Sequence, residues 1–253
     1  MLTFTEAQVL EWITPILWPF IRVLALFSAM PVFGQRTVPA RVRVALAFLI
    51  AFCAQASLPT MPVIALDSSA GFMAVAQQVV IGVSLGFAAR LVFSGVELAG
   101  ELIGLQMGLN FAGFFNPMTG GEATAVSRFF GITVSWLFIL INGHLLLIAA
   151  VVQSFHAFPA SSEPFAFLRV VQPQIWGAEV FRLGLWIALP LIGMLLFVNL
   201  VLGIIARVAQ QMNIFAIGFP ITLGVGLIGV LMTLPTMQAP FTMALERMLG
   251  YFQ

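Results

Sequence analysis

Long apolar runs separated by short polar connections organise the chain, at roughly 12–33, 44–66, 72–96, 129–151, 183–205 and 214–234. Each approaches the ~20 apolar residues that a helix needs to cross a bilayer core. The pattern therefore predicts an all-α integral membrane protein with about six hydrophobic helical segments. Arg36, Arg41 and Arg43 crowd the first connection and Arg207 opens the last, whereas Glu6, Glu11 and Asp67 mark the N-terminus and the second connection. Basic connections stay on the cytoplasmic side, so both termini are expected outside. Glu6 and Glu11 with no early Lys or Arg are the wrong charge for a signal-peptide n-region, and the first segment is expected to be retained.

Two connections are long. Residues 97–128 are too polar and too rich in glycine for a simple span, and a connection of that length is expected to be functional. Residues 152–182 carry Pro159, Pro164 and Pro173 with mixed charge. That stretch reads as an extracytoplasmic excursion with one short amphipathic helix. No fixed-period repeat or low-complexity tract is visible, so a single membrane domain spanning 1–253 is expected.

Composition narrows the class further. The 253 residues are 61% hydrophobic and 8% charged, against roughly 25% charged in a soluble domain. All ten basic residues are arginine and the net charge is +1, which offers no nucleic-acid patch. Cys53, the only cysteine, can form no internal disulfide and is expected to pack as a small hydrophobe. His144 and His156 lack the Cys, Asp or Glu neighbours of a metal site, and His144 reads as a packing or polar-network residue. With no lysine there is no Walker motif, and neither a Gly-x-Ser-x-Gly elbow nor a His-Glu-x-x-His motif occurs. No enzyme, metal or cofactor is expected.

Several residues carry physical weight. Arg22 sits in the middle of the first apolar segment, where an arginine costs ~2.5–3.5 kcal/mol. Pro15, Pro19 and Pro31 each remove a backbone donor there, and the freed carbonyls need protein or water nearby. Arg22 is therefore expected in protein, at a subunit contact or water-filled path, rather than snorkelling to an interface. A third segment continued past residue 96 would place Arg90, Ser94, Glu97 and Glu101 on one face. They would form an inter-subunit polar contact or a solvated stripe. Beside them Gly100, Gly104 and Gly108 form a groove that another backbone can enter. In GLNFAGFFNPMTGGEA, Phe111, Phe114 and Phe115 stand among Gly113, Pro117, Gly120 and Gly121. Such a loop could exclude water from a narrow passage or pack as a re-entrant loop in a core; the residues leave both open. Arg207, Gln210, Gln211 and Asn213 read as a hairpin turn, followed by Gly218, Thr222 and Gly226 on one stripe, with Gly224 and Gly229 nearby, for close packing.

Four separated blocks, PVFGQRTVPARVRVALAF, ELIGLQMGLNFAGFFNP, INGHLLLIAAVVQSF and ALPLIGMLLFVNLVLGIIARVAQQMNIFAIGFPI, resemble the FliR family in order and spacing over nearly the whole chain. The resemblance implies a subunit of the flagellar type III secretion export gate. Its partners would be FliP and FliQ type subunits, with FlhB and FlhA type export proteins nearby and unfolded secreted proteins as cargo. It implies kinked helices, FliP-like over 1–182 with a plug loop near 109–121, then a FliQ-like hairpin and tail over 183–253. Phe111, Phe114, Phe115, Asn116 and Pro117 would close the resting pore, and Arg207, Gln211, Asn213 and Phe215 would lie at the cytoplasmic mouth. The implied location is the bacterial inner membrane within the flagellar basal body, with parts of the assembly projecting to the periplasmic side. One departure is Gln210, where family members often carry proline, which implies a less rigid turn. The competing readings are the gate of a virulence injectisome, which fits the blocks less well, and a secondary transporter, which would show symmetry-related repeats. A scaffold subunit would lack a mobile hydrophobic loop.

Overall fold

The computed structural model describes residues 6–35, 37–109, 124–209, 211 and 214–253, and every regular element among them is helical. In chain order these are α1 (Glu6–Ala29), α2 (Ala40–Ala54), α3 (Ser69–Gln106), α4 (Ala125–Leu140) and α5 (Gly143–Ala157). The short α6 (Ala166–Val171), α7 (Gly177–Val208), α8 (Ile214–Thr233) and α9 (Gln238–Gly250) follow. Among the described residues five stretches are long and apolar enough to cross a membrane, and α4 with α5, bent by 67°, makes a sixth if the pair is one span.

Local sequence explains where the helices depart from the expected segments. The second segment, expected over 44–66, begins earlier at Ala40, directly after Pro39, and stops as helix at Ala54, followed by a 3-10 turn over Gln55–Ser57. Leu58 is extended (φ −86°, ψ 150°), as a residue preceding proline prefers, and Pro59 follows. The fourth segment, expected as one span over 129–151, is broken. Asn142 adopts φ 57°, a left-handed conformation that asparagine tolerates better than most residues, and its side chain belongs to a short polar step between two apolar runs. The third segment continues past residue 96 to Gln106. Its 38 residues span about 57 Å, well beyond a ~30 Å hydrocarbon core. The short helix expected within 152–182 is α6. The C-terminal α9, not anticipated as a helix, buries Phe241, Leu245, Met248 and Leu249 along one stripe.

The chain divides into two compact units, Met1–Leu91 with Asn142–Gly177 and Leu245–Gln253, and Val92–Ile141 with Ala178–Ala244. In the first, α2 lies on α1, and α2's only fully buried residues are Ala47 and Ala51. The start of α3 lies so close to α1 that a Cβ at Gly82 would collide with the Arg22 carbonyl oxygen. Phe87, Tyr251 and Phe252 surround the buried Trp176, and Phe252 stacks on Phe167. In the second unit, Phe93 makes edge contacts with Phe138 and Phe241. There α3 and α7 cross at Gly95 and Gly184: a Cβ on Gly184 would sit 3.0 Å from the Gly95 carbonyl oxygen. The other faces of α7 and α8 expose large apolar groups such as Trp186, Phe197, Leu231 and Met232, the surface of a protein that meets lipid or apolar partners.

Candidate functional site

Arg22 is fully buried within the first unit, and its donors are met inside the chain. Its Nε donates to Gln78 Oε1 at 2.8 Å, Nη1 to Ser154 Oγ at 2.7 Å, and Nη2 to the Phe158 carbonyl at 2.8 Å. The guanidinium carbon stands 3.5 Å from the centroid of the Phe155 ring, a cation–π contact strengthened by desolvation. All three acceptors are neutral. The network extends outward. Gln78 Nε2 donates to Gln77 Oε1 at 2.9 Å, Gln77 Nε2 to Ser161 Oγ at 2.8 Å, and the Ser161 amide back to Gln77 Oε1 at 2.8 Å. One charge thus ties together α1, α3, α5 and the backbone that follows α5.

Arg22 accordingly avoids snorkelling, but its partners are residues of its own chain. The sequence reading did not single out Gln77, Gln78, Ser154 or Ser161. The signal available was the adjacent pair Gln77–Gln78 inside an otherwise apolar helix, two amides that lipid could not satisfy.

The second polar cluster joins α3 to α4 in the other unit. Glu101, half-buried, accepts from the Thr124 amide and from Thr124 Oγ1, both at 3.1 Å. Thr124 in turn caps α4 by accepting from the Ser127 amide at 3.2 Å. Ser127 Oγ donates to the Glu97 carbonyl at 2.9 Å. The glycine groove receives this same chain: a Cβ on Gly100 would lie 2.7 Å from Ser127 Cα, and one on Gly104 would lie 2.8 Å from Thr124 Oγ1. Gly108 is not a rung of that groove. It lies past the helix end with φ 78°, where a residue without Cβ adopts the left-handed conformation freely. Of the expected polar stripe, Arg90 and Glu97 are exposed, and the Glu97 side chain flanks Gly131 of α4.

A consequence is measurable. Glu101→Ala removes the acceptor that holds the capping Thr124, and loss of a hydrogen bond of this kind costs about 1 kcal/mol. Amide exchange at Thr124 and Ser127 is expected to rise roughly five-fold with the rest of α4 unchanged; unaltered exchange at both amides would remove Glu101 from this role.

Arg207 and Gln211 are exposed on either side of the α7–α8 connection. Asn213 and Gln210 lie outside the described residues, as do Arg36 and the expected plug residues Phe111, Phe114, Phe115, Asn116 and Pro117. Phe215 belongs to the first turn of α8. Within α8, Thr222 is buried and Gly226 faces Met107, with a Cβ there 2.5 Å from Met107 Cγ. Cys53, expected to pack as a small hydrophobe, is instead exposed on α2, because α2 buries only its alanine stripe. Among the described residues no three His, Cys, Asp or Glu side chains gather as metal ligands.

A family model described as bacterial export proteins, family 1, matches residues 13–248. The chain belongs to this export protein family. Similar members include the flagellar biosynthetic protein FliR of Pectobacterium carotovorum subsp. carotovorum, 43% identical over 240 residues, with 93% of this chain and 90% of that protein covered. FliR of Escherichia coli K12 is 43% identical over 244 residues, covering 95% and 92%. FliR of Bacillus subtilis strain 168 is 31% identical over 217 residues, covering 83% and 82%. Membership in the export family spans both compact units, so the Arg22 network and the Glu101 cluster both belong to the matched region.

Proposed function

We propose that this chain is the FliR-type subunit of the flagellar type III secretion export gate, required for flagellum assembly. The observation that carries this reading is the similarity to FliR proteins along more than nine tenths of the chain, on a wholly helical framework with the apolar surface of a membrane protein. FliP and FliQ type subunits are its proposed neighbours, joined by FlhB and FlhA type proteins. The conduit they form would pass unfolded flagellar proteins across the inner membrane at the basal body, with parts of the assembly on the periplasmic side. The stretches 1–182 and 183–253 would act as FliP-like and FliQ-like parts. A conduit of this kind works by shape and exclusion and needs no catalytic centre in this chain.

The test is complementation of an Escherichia coli strain lacking its own FliR. Restored swimming, with flagellar proteins recovered in the medium and with FliP and FliQ co-purifying on a tag placed on this chain, is the expected result. A chain that reaches the membrane, recruits neither partner and restores no export would overturn the reading. Within the same assembly, Phe111, Phe114 and Phe115 are proposed as the closing plug. Their joint replacement by alanine is expected to raise small-ion leakage through an intact complex at least ten-fold, since bulky apolar groups exclude ions from a constriction. An intact complex that stays tight would move these aromatics to a packing role.

A further inference from the structure

We infer that Met107, seated in a notch at Gly226 of α8, is the positioning residue for the connection proposed above as the plug, an inference that rests on that plug reading. The connection leaves α3 by a closely specified path. The Met107 amide donates to the Ile103 carbonyl at 3.0 Å, the Gly108 amide to the Leu105 carbonyl at 3.1 Å and the Leu109 amide to the Gly104 carbonyl at 3.1 Å. With Gly108 at φ 78°, the last two bonds are the paired closure that ends a helix at a left-handed glycine. The far end of the connection is tied to the same turns. Thr124 Oγ1 lies 2.8 Å from where a Cβ on Gly104 would stand, and Glu101 accepts from the Thr124 amide and hydroxyl. Both ends therefore ride on the last turns of α3, and whatever fixes those turns fixes both ends.

Met107 ties those turns to α8 within the second unit. Its side chain is fully buried, and a Cβ built on Gly226 would lie 2.5 Å from its Cγ and 2.7 Å from both its Sδ and its Cε. Three successive atoms of one side chain thus lie over one glycine, and the seat exists only while residue 226 has no side chain. The face of α8 around it is narrow. Gly218, Thr222 and Gly226 are buried at intervals of four, and Thr222 turns its hydroxyl back to the Gly218 and Phe219 carbonyls of its own helix. An unbranched thioether fills such a notch without strain.

The contact differs in kind from those at Gly82 and Gly100. A side chain at either of those positions would meet backbone atoms, whereas the three nearest atoms at Gly226 all belong to the Met107 side chain. Gly226→Ala therefore evicts Met107 and leaves the helices where they are, because a methionine can swing aside and backbone cannot.

The experiment uses the full chain in complex with its gate partners, reconstituted in liposomes loaded with potassium. Efflux is read with an external electrode and assembly by size-exclusion chromatography. Gly226→Ala and Met107→Ala are each expected to raise efflux roughly five-fold through an intact complex. The double variant should leak no more than either, since both remove one contact. Gly224→Ala, on the same helix with nothing within 4 Å of a built Cβ, is expected to match wild type. Met107→Cys with Gly226→Cys, in a Cys53→Ser background, is expected to form a disulfide: the built Cβ approaches the Met107 Cγ position at 2.5 Å, and bonded cysteines hold their Cβ atoms about 3.8 Å apart. The oxidised complex should be as tight as wild type and the same complex should leak once reduced, a reversal that a packing defect does not show. Failure to cross-link, or a cross-linked complex as leaky as the reduced one, would overturn the proposal. So would a tight Gly226→Ala complex, or equal leakage from Gly224→Ala; should Gly226→Ala lose the complex, the cysteine pair decides. The joint alanine variant of Phe111, Phe114 and Phe115 separates the two readings. If it stays tight while Gly226→Ala leaks, those aromatics are not the plug and the positioning contact stands; the reverse pattern overturns the contact alone.

Discussion

Arg22→Met is expected to lower the thermal midpoint of the purified protein in detergent by roughly 6–20 °C. The substitution keeps most of the side-chain volume but removes every donor, so Gln78 Oε1, Ser154 Oγ and the Phe158 carbonyl lose a partner at once. Each buried acceptor left without its donor costs about 1–3 kcal/mol, three are stranded together, and each kcal/mol moves the midpoint of a chain this size by about 2–4 °C. Arg22→Lys retains the charge but lacks the planar fork that reaches three acceptors in different directions, and is expected to fall between wild type and Arg22→Met. Adding Gln78→Leu and Ser154→Ala to Arg22→Met removes two of the stranded acceptors and is expected to recover part of the loss. A midpoint unchanged by Arg22→Met would mean that the network adds nothing to stability.

Gly82→Val is expected to be at least as damaging and to act through the same contact. Its Cβ would collide with the Arg22 carbonyl oxygen, and one at Gly86 would lie 2.7 Å from both the Leu26 carbonyl oxygen and Ala29 Cβ. Backbone cannot swing aside as a side-chain tip can, so α1 and α3 must separate. Overpacking of this kind costs about 1–3 kcal/mol where side chains yield, and more where backbone is the obstacle. Because separation also lengthens the Arg22–Gln78 bond, Gly82→Val and Arg22→Met are expected to be less than additive when combined. Gly193, Gly203 and Gly224 have nothing within 4 Å of a built Cβ. Alanine at these helical positions should be neutral or stabilise by up to about 1 kcal/mol, as read by the same melting measurement. Equal effects at Gly82 and Gly203 would refute the close-approach argument.

Much of the helical framework was legible because apolar runs of span length admit few alternatives. Burial of Arg22 was legible too, since Pro15 and Pro19 in the same helix already demanded protein neighbours. The partners of Arg22 were not legible: they lie 56 to 136 residues away, and hydropathy carries no information about which polar groups converge. Gly82 and Gly86 went unnoticed for a related reason. In a chain apolar on both protein-facing and lipid-facing sides, periodicity does not separate the two, and a glycine pair looks the same in either setting. The groove at Gly100 and Gly104 was visible as a groove, but spacing alone could not say that its occupant is the chain's own α4. The break at Asn142 was missed because hydropathy averaged over 129–151 passes across a two-residue step.

The wide sequence separation within the Arg22 network has a consequence for how the protein is made. Ser154 lies 132 residues beyond Arg22, and a ribosome adding about 5–20 residues per second needs about 7–26 seconds to cover that distance. For this interval the nascent α1 holds an arginine of whose three acceptors at most Gln78 has been synthesised, in a helix that two prolines already weaken. Helix α1 is therefore made before α5 and settles late. Its final seat exists only once α5 has emerged, and slowing or pausing synthesis between the two lengthens the period in which α1 is open to proteolysis or to a holding factor.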